Sequence, residues 1–369
     1  MTGNSTGAPS ANLENWDTIE WSIVSREVKR LQMRIAKATK EKRYGKVKAL
    51  QWMLTHSYHA KLLAVKRVSE SRGAKTPGVD NILWKDSIQK ITAVKTLKRR
   101  GYKPQPLRRV MIPKKNGKQR PLGIPTLYDR AQQALYLLTL EPVAETVADK
   151  HSYGFRPYRR CMDAIEQCFC VLAKKKSAQW VLEGDIKACF DKINHEWLKE
   201  SVPTDQITLS KWLKAGYVYE NQWCETTAGT PQGGVISPTL ANMVLDGMEY
   251  LIYSMTKKAD KVHLVRYADD FIVTADTKEL LEHKIKPAIV RFLSERSLEL
   301  SEEKTRITHI DEGFDFLGFN IRKYNKKLLT KPSKESIKSF LASIQEVINA
   351  NKTSTTLKLL LAINPKIRG

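Results

Sequence analysis

Apolar residues near the start of the chain recur at helical spacing. Steps of three and four residues separate Val24, Val28, Leu31 and Ile35. Such spacing is typical of one buried face of a helix. The pattern stays helical and basic from Trp16 to about Val68. The polar residues 1–15 before it are rich in Gly, Ser and Asn and are expected to form a flexible tail.

Basic residues fill the polar positions of this first helical stretch, namely Arg26, Lys29, Arg30, Arg34 and Lys37. Two interpretations remain open for them. They form either a solvated helix face or a helical extension that binds the backbone of a nucleic acid.

A basic hairpin is predicted in the next part of the chain. Leu107–Pro113 has the pattern of a strand, Lys114–Gln119 that of a basic turn, and Arg120–Pro125 that of the returning strand. Lysine and arginine at such a tip can contact a phosphate group. A turn that only keeps the protein soluble remains the alternative.

Helices are predicted over residues 130–148 and 161–175 from their apolar period. Trp180–Ile186 is predicted to be a short strand ending at a carboxylate, with a helix following it through Trp197. The turn Gly229–Gly234 is predicted to lead into a helix from about Ser237 to Met248.

Two apolar strands, Leu264–Tyr267 and Phe271–Thr274, flank the sequence Ala268-Asp269-Asp270. This is the pattern of a hairpin with carboxylates at its bend. A further strand pair is predicted around Phe314–Phe319. Strands and helices alternate without a regular βαβ repeat, which predicts an α+β fold rather than a doubly wound sheet.

Composition adds a preference for a polyanionic partner. The chain has 369 residues, 41% of them apolar, and Lys and Arg outnumber Asp and Glu by 63 to 39, for a net charge of +24. Such an excess favours binding to phosphates. The odd number of cysteines favours a reducing cytosol. No signal core and no apolar run of membrane-spanning length is present, so no membrane partner and a cytoplasmic location are expected.

Paired acids at a bend are by themselves usually a polar turn. Here the flanking strands would fix Asp269 and Asp270 rigidly, and Asp185 ends another apolar strand. If the two strand ends lie side by side, three carboxylates converge and need divalent cations. Two Mg²⁺ ions about 4 Å apart, bridged by carboxylates, are the arrangement that phosphoryl transfer uses.

The order of the motifs resembles the fingers and palm blocks of reverse transcriptases, most closely those encoded by bacterial group II introns. The blocks are LRRVMIPKKNGKQRPLGIP, HSYGFRP, LEGDIKACFDKINH, GTPQGGVISPTLAN, VRYADDFIV, LSEEKTRI and FDFLGF. They cover about residues 65–320, and the basic stretch from Trp16 resembles the N-terminal extension of that family. The resemblance implies a right-hand polymerase with an antiparallel palm sheet.

Site roles follow from the resemblance position by position. It implies catalytic metal ligands at Asp185, Asp269 and Asp270, with the backbone carbonyl of Ile186 beside them. The residues that it implies for binding the deoxynucleotide are Lys114, Arg120, Phe190, Gln232 and Lys304. Phe190 matches the position that blocks a ribose 2′-hydroxyl, which favours DNA synthesis over RNA synthesis. An ordinary core phenylalanine is the alternative there.

The resemblance also divides the chain. After the tail it implies a basic helical N-terminal extension (16–70), fingers (71–165), a palm (166–325) and the start of a helical thumb or maturase region (326–369). Proteins of the family usually continue further, so a shortened thumb is expected.

The leading hypothesis is an RNA-directed DNA polymerase that copies intron RNA during retrohoming, with an RNA template, a DNA primer or target DNA, and dNTPs as partners. A second hypothesis is a maturase that binds folded intron RNA and assists splicing without chemistry of its own. A third is a reverse transcriptase recruited to phage defence or to a CRISPR-linked system.

Overall fold

The computed structural model describes residues 15–113, 117 and 119–368. The chain divides into two compact units that alternate along the sequence. The first unit comprises the residues up to Asp149 together with Lys187–Gly247 and Leu293–Glu299. The second unit comprises Lys150–Ile186, Met248–Phe292 and the residues from Leu300 onward.

The helices of the described residues are, in chain order, α1 (Trp21–Lys40), α2 (Tyr44–His56), α3 (Tyr58–Ser69), α4 (Ser87–Thr96), α5 (Leu127–Val147), α6 (Cys161–Leu172), α7 (Cys189–Lys192), α8 (His195–Ser201), α9 (Gln206–Leu213), α10 (Ser237–Leu245), α11 (Met248–Ser254), α12 (Lys278–Leu280), α13 (Lys286–Ser294), α14 (Lys334–Ala350) and α15 (Thr356–Arg368). Short 3₁₀ turns cover Trp16–Thr18, Arg72–Lys75 and Lys258–Asp260, and a π-helical turn, Leu281–Ile285, joins α12 to α13.

The strands of the described residues are β1 (Leu107–Pro113), β2 (Gln119–Ile124), β3 (Trp180–Asp185), β4 (Tyr217–Tyr219), β5 (Gln222–Cys224), β6 (His263–Tyr267), β7 (Asp270–Ala275), β8 (Arg306–His309), β9 (Phe314–Phe316), β10 (Phe319–Tyr324) and β11 (Lys327–Pro332). The predicted hairpins at β1–β2 and β6–β7 and the predicted strand pair β9–β10 are confirmed.

The core of the first unit forms around α5, which is buried on nearly all sides. Its neighbours α1, α2 and α3 pack against it, and α1 contributes the buried residues Val24, Val28 and Ile35. The apolar period of α1 therefore faces the core, as helical spacing requires. Its basic positions Arg26, Lys29, Arg30, Arg34 and Lys37 are exposed.

A mixed sheet completes the first unit, with the strand order β2-β1-β4-β5. The β1–β2 and β4–β5 pairs are antiparallel, and β1 runs parallel to β4. The parallel pair is short, joining Leu107 to Tyr217 and Arg108 to Val218. Most residues of β1 therefore form their strand pairing with β2 alone.

The second unit contains an antiparallel sheet with the order β6-β7-β3-β8. Val181, Val265 and Ile272 from its strands are completely buried, in one cluster with Ile165 and Leu172 of α6. A second antiparallel sheet, β11-β10-β9, adds Phe314 and Ile321 to the same cluster. The second unit therefore combines helices with two antiparallel sheets.

Two helix predictions are corrected. The helix predicted through Trp197 divides into α7 and α8, because Asn194 caps α8 by accepting from the backbone N–H groups of Glu196 and Trp197. The helix predicted to reach Met248 ends at Leu245, since Gly247 takes a φ of 96° before α11 begins. Positive φ is the ordinary way in which glycine interrupts a helix.

The C-terminal helices α14 and α15 contact each other and have no buried residues. Both lie within residues 326–369, for which the resemblance implies helical structure. No helix in the described ranges has the length and apolar character that crossing a membrane would require.

Candidate active site

The turn between β6 and β7 carries the paired acids. Tyr267 pairs with Asp270 across the hairpin, so Ala268 and Asp269 form its two-residue bend. Ala268 has a φ of 56°, which an L-residue adopts only at some cost in strain. The backbone N–H of Ile186 donates to the carbonyl oxygen of Asp269 at 3.3 Å. This hydrogen bond ties the bend to the end of β3.

Asp185 and Asp270 lie opposite each other in the antiparallel register of β3 and β7. Desolvation, together with repulsion from Asp269 and Asp185, raises the pKa of Asp270 to about 7. Desolvation is the largest cause of this shift, and the charges of Asp269 and Asp185 add to it. Strand register therefore concentrates negative charge at this end of the sheet.

Lys304 offsets part of this charge. Its ammonium donates to Oδ1 of Asp185 at 2.9 Å, and that hydrogen bond is the main reason why the pKa of Lys304 is raised. The loop that carries Lys304 is held nearby, because the N–H of Ser301 donates to the carbonyl oxygen of Asp185 at 2.8 Å. The structure thus places Asp185, Ile186, Asp270 and Lys304 together.

The chemistry of these donors fits a divalent cation only in part. Carboxylate and backbone carbonyl oxygens are the ligands that Mg²⁺ prefers, and two facing carboxylates need positive charge between them. Within the described ranges, however, no three His, Cys, Asp or Glu residues are close enough to one another to hold an ion. The ammonium of Lys304 forms an ion pair with Asp185.

Two glycines allow the close packing around the carboxylates. A Cβ on Gly184 would lie 2.2 Å from the ring of Phe271 on β7, so only glycine fits beside Asp185. A Cβ on Gly154 would lie 2.4 Å from the backbone nitrogen of Ala268. Sequence reasoning missed both positions, although each glycine belongs to a motif that it singled out.

The HSYGFRP segment supports the hairpin from its side. Ser152 pairs with Arg266 in a parallel bridge, and the N–H of Arg266 donates to the carbonyl oxygen of His151 at 2.9 Å. The side chain of Arg266 is completely buried, and its Nη1 donates to the carbonyl oxygen of Ala268 at 3.3 Å. This buried arginine, which sequence reasoning also missed, fixes the strained bend.

The first unit brings three other polar side chains together. Nε of Arg120, on β2, donates to Oε1 of Gln232. Nε2 of Gln232 donates to both carboxylate oxygens of Asp191, at 3.3 and 3.2 Å. A guanidinium only donates and a carboxylate only accepts, so the two partners fix the orientation of the amide between them. Asp191 is the acceptor at one end of this network.

Phe190 lies beside this network and is almost completely buried. Its carbonyl oxygen accepts from the N–H of Thr230 at 2.7 Å, which ties it to the loop carrying Gln232. Phe190, Asp191 and Gln232 all line a cavity of about 350 Å³. Lys114, the other residue predicted to bind the triphosphate, lies outside the described residues.

Comparison with known proteins identifies relatives across most of the chain. The family described as "Reverse transcriptase (RNA-dependent DNA polymerase)" matches residues 112–321, and that described as "N-terminal domain of reverse transcriptase" matches residues 16–97.

Group II intron-encoded protein LtrA of Lactococcus lactis subsp. cremoris is 30% identical over 78% of this chain. The chain spans 59% of the length of LtrA. Protein YkfC of Escherichia coli (strain K12) is 32% identical over 77% of this chain and 87% of its own length. Telomerase from Candida tropicalis has a TM-score of 0.47 at 15% identity, over 72% of this chain and 53% of its own, and adds nothing to the assignment.

Proposed function

The chain belongs to the reverse transcriptase family, in its group II intron-encoded branch, and from this premise we propose that it is an RNA-directed DNA polymerase that copies intron RNA. The observation that carries the proposal is the register of β3 and β7, which sets Asp185 opposite Asp270 beside the bend at Asp269. Converging carboxylates at a sheet end suit nucleotidyl transfer.

The facing carboxylates of Asp185 and Asp270, with Asp269 and the carbonyl of Ile186 beside them, are proposed to hold two Mg²⁺ ions after their side chains turn toward one another, since no three acids of the described ranges are close enough as they stand. Bound there, the ions would lower the pKa of the primer 3′-hydroxyl and neutralise the charge of the pyrophosphate leaving group. The protein itself keeps the donors in place through the strand register and the buried Arg266. Lys304 offsets part of the charge of Asp185 through their ion pair at 2.9 Å.

In the first unit, Arg120 and Gln232 are proposed to bind the incoming dNTP, with Lys114 as the second cation for its triphosphate. A fixed guanidinium is suited to phosphate oxygens. The side chain of Phe190, buried beside Gln232, is proposed to exclude a ribose 2′-hydroxyl. This would make the enzyme selective for deoxynucleotides.

The proposed partners are group II intron RNA, as the template and in a ribonucleoprotein, and a DNA primer or target. The net charge of +24 and the exposed basic positions of α1 support binding to RNA phosphates. A maturase role in splicing would use the same surface.

We assign residues 71–165 to the fingers, 166–325 to the palm and 326–369 to the start of a thumb. We place the protein in the bacterial cytoplasm, at the nucleoid when it acts on target DNA.

The test is primer extension on an RNA template with Asp269→Asn combined with Asp270→Asn. The double variant should lose at least about a hundredfold in rate, because each carboxylate stabilises charge in the transition state. Its affinity for RNA should stay close to that of the wild type. Asp276→Asn is the matched control, since Asp276 directly follows the opposite end of β7 and pairs there with Lys261.

Extension at the wild-type rate by the Asp269 and Asp270 double variant would exclude the proposed catalytic centre. Loss of activity in both the double variant and the Asp276 control would point instead to general damage of the hairpin. Near-normal RNA affinity with lost extension would also separate the polymerase from a maturase that acts only by binding.

A further inference from the structure

Two neighbouring cavities lie in the first unit, and their linings include none of the residues assigned a catalytic or nucleotide-binding role above. The larger measures about 530 Å³ and lies among α2, α5 and the segment that precedes α9. The smaller measures about 150 Å³ and lies between the end of α2, the residues after α4 and α5. Thr55, Arg99 and Tyr136 line both cavities, so the two form one composite site.

Aromatic rings form the wall of the larger cavity. Tyr44 and Trp52 on α2 are 67% and 61% exposed, which is unusual for rings of this size. The indole of Trp52 is held in place because it stacks on His56 with ring centroids 4.2 Å apart. Tyr136 is buried and packs edge-on against Trp212. A fixed, exposed indole is a platform on which a flat ring can stack.

Cations surround the same site. Lys48 lines the larger cavity, and Lys61, Lys98 and Arg100 line the smaller one. Arg99 lies on both and is paired with Asp205, the carboxylate of the larger cavity, through Nε and Nη2. Positive charge thus exceeds negative charge around the composite site, which makes it complementary to an anion.

Gln132 provides a buried acceptor in the wall of the smaller cavity. The residue has no exposed surface, and its Nε2 donates to the carbonyl oxygen of Lys98 at 3.1 Å. This bond fixes the orientation of the amide, so the other end is Oε1. No described residue donates to Oε1. A buried acceptor without a donor is costly, and an N–H group that displaced the side chains covering Oε1 and reached it from the cavity would relieve that cost.

We propose that the composite site binds one unstacked nucleotide of single-stranded RNA. The base stacks on Trp52, an exocyclic amino group donates to Oε1 of Gln132, and the phosphates contact Lys98 and Arg100. RNA is chosen over a protein partner because aromatic platforms, cations and an amide acceptor together match a base and its phosphate. The inference rests on the proposed RNA partner but not on the polymerase chemistry.

The test measures the affinity of the full chain for a short single-stranded oligoadenylate by fluorescence anisotropy. Trp52→Ala should weaken binding about tenfold, as loss of one base–aromatic stack does. Trp223→Ala is the matched control, because Trp223 is 59% exposed in the same unit and lines neither cavity. An oligonucleotide lacking its bases should bind wild type and Trp52→Ala equally.

A second variant tests the acceptor separately. Oligoadenylate carries exocyclic amino groups and oligouridylate does not, so wild type should prefer the former, and Gln132→Leu should lower that preference about fivefold. Lys98→Gln with Arg100→Gln should reduce the salt dependence of binding by about one unit of slope per lost phosphate contact.

If Trp52→Ala and Trp223→Ala bound oligoadenylate with equal affinity, the proposed site would be wrong. A second result would also overturn it. If free AMP bound tightly at the site and Trp52→Ala left the affinity for oligoadenylate unchanged, the occupant would be a mononucleotide and not RNA. The Asp269 and Asp270 double variant should bind oligoadenylate as wild type does. Failure of this inference is therefore distinguishable from failure of the proposed polymerase.

Discussion

The carboxylates of the second unit and the polar network of the first unit are built in different ways. Asp185 and Asp270 are set opposite each other by strand register, so backbone hydrogen bonds determine where they lie. Arg120, Gln232 and Asp191 come from three separate segments, and side-chain hydrogen bonds hold them together. A shift in strand register moves every side chain of the strand at once. A substitution in a side-chain network removes only the hydrogen bonds that the substituted residue makes. The two regions should therefore respond differently to substitution.

The largest effect is expected from Gly184→Ala, which challenges the register directly. The added methyl group would overlap the ring of Phe271, so the variant should lose about 1–3 kcal/mol of stability and most of its primer-extension activity. Thermal unfolding and extension on an RNA template measure both effects.

Gly45→Ala is the matched control for that substitution, because a Cβ there has nothing within 4 Å on the exposed side of α2. It should be neutral or slightly stabilising. Phe271→Leu added to Gly184→Ala should restore part of the stability by making room. Full activity of Gly184→Ala alone would mean that the carboxylates do not depend on this close packing.

An intermediate effect is expected from Phe190→Val beside the network. Shortening the buried ring should admit ribonucleotides and lower the preference for dNTPs over NTPs by about tenfold or more. The ratio of kcat/KM for the two nucleotides measures this preference. Phe169→Val, an exposed phenylalanine on α6, should leave the ratio unchanged. An unchanged ratio in Phe190→Val would place the selection for deoxyribose elsewhere.

The smallest effect is expected from Asp191→Asn, which removes one member of the network. Asparagine can donate as well as accept, so the amide of Gln232 would no longer have a single orientation toward Arg120. KM for dNTPs should rise about fivefold, with kcat little changed. Loss of activity as large as that of Arg120→Ala would contradict the idea that such a network tolerates the loss of one member.

Much of the fold was predictable because short-range patterns specify hairpins and amphipathic helices. The strands on either side of Asp269 and Asp270, the basic hairpin and the helix beginning at Ser237 follow from periods of two and of 3.6 residues. Helix ends were predicted less well. Asn194 and Gly247 end helices through a capping hydrogen bond and a positive φ, which apolar periodicity does not record.

The sequence by itself determined the family, the acidic turn and the excess of positive charge, since these depend on residue types and their order. Only the tertiary structure decided that Asp185 lies opposite Asp270, that Arg266 is buried beneath the bend and that Asp191 fixes Gln232. These pairings join residues that are far apart in the chain. Their geometry depends on strand register and on close packing at Gly184 and Gly154, which no local pattern specifies.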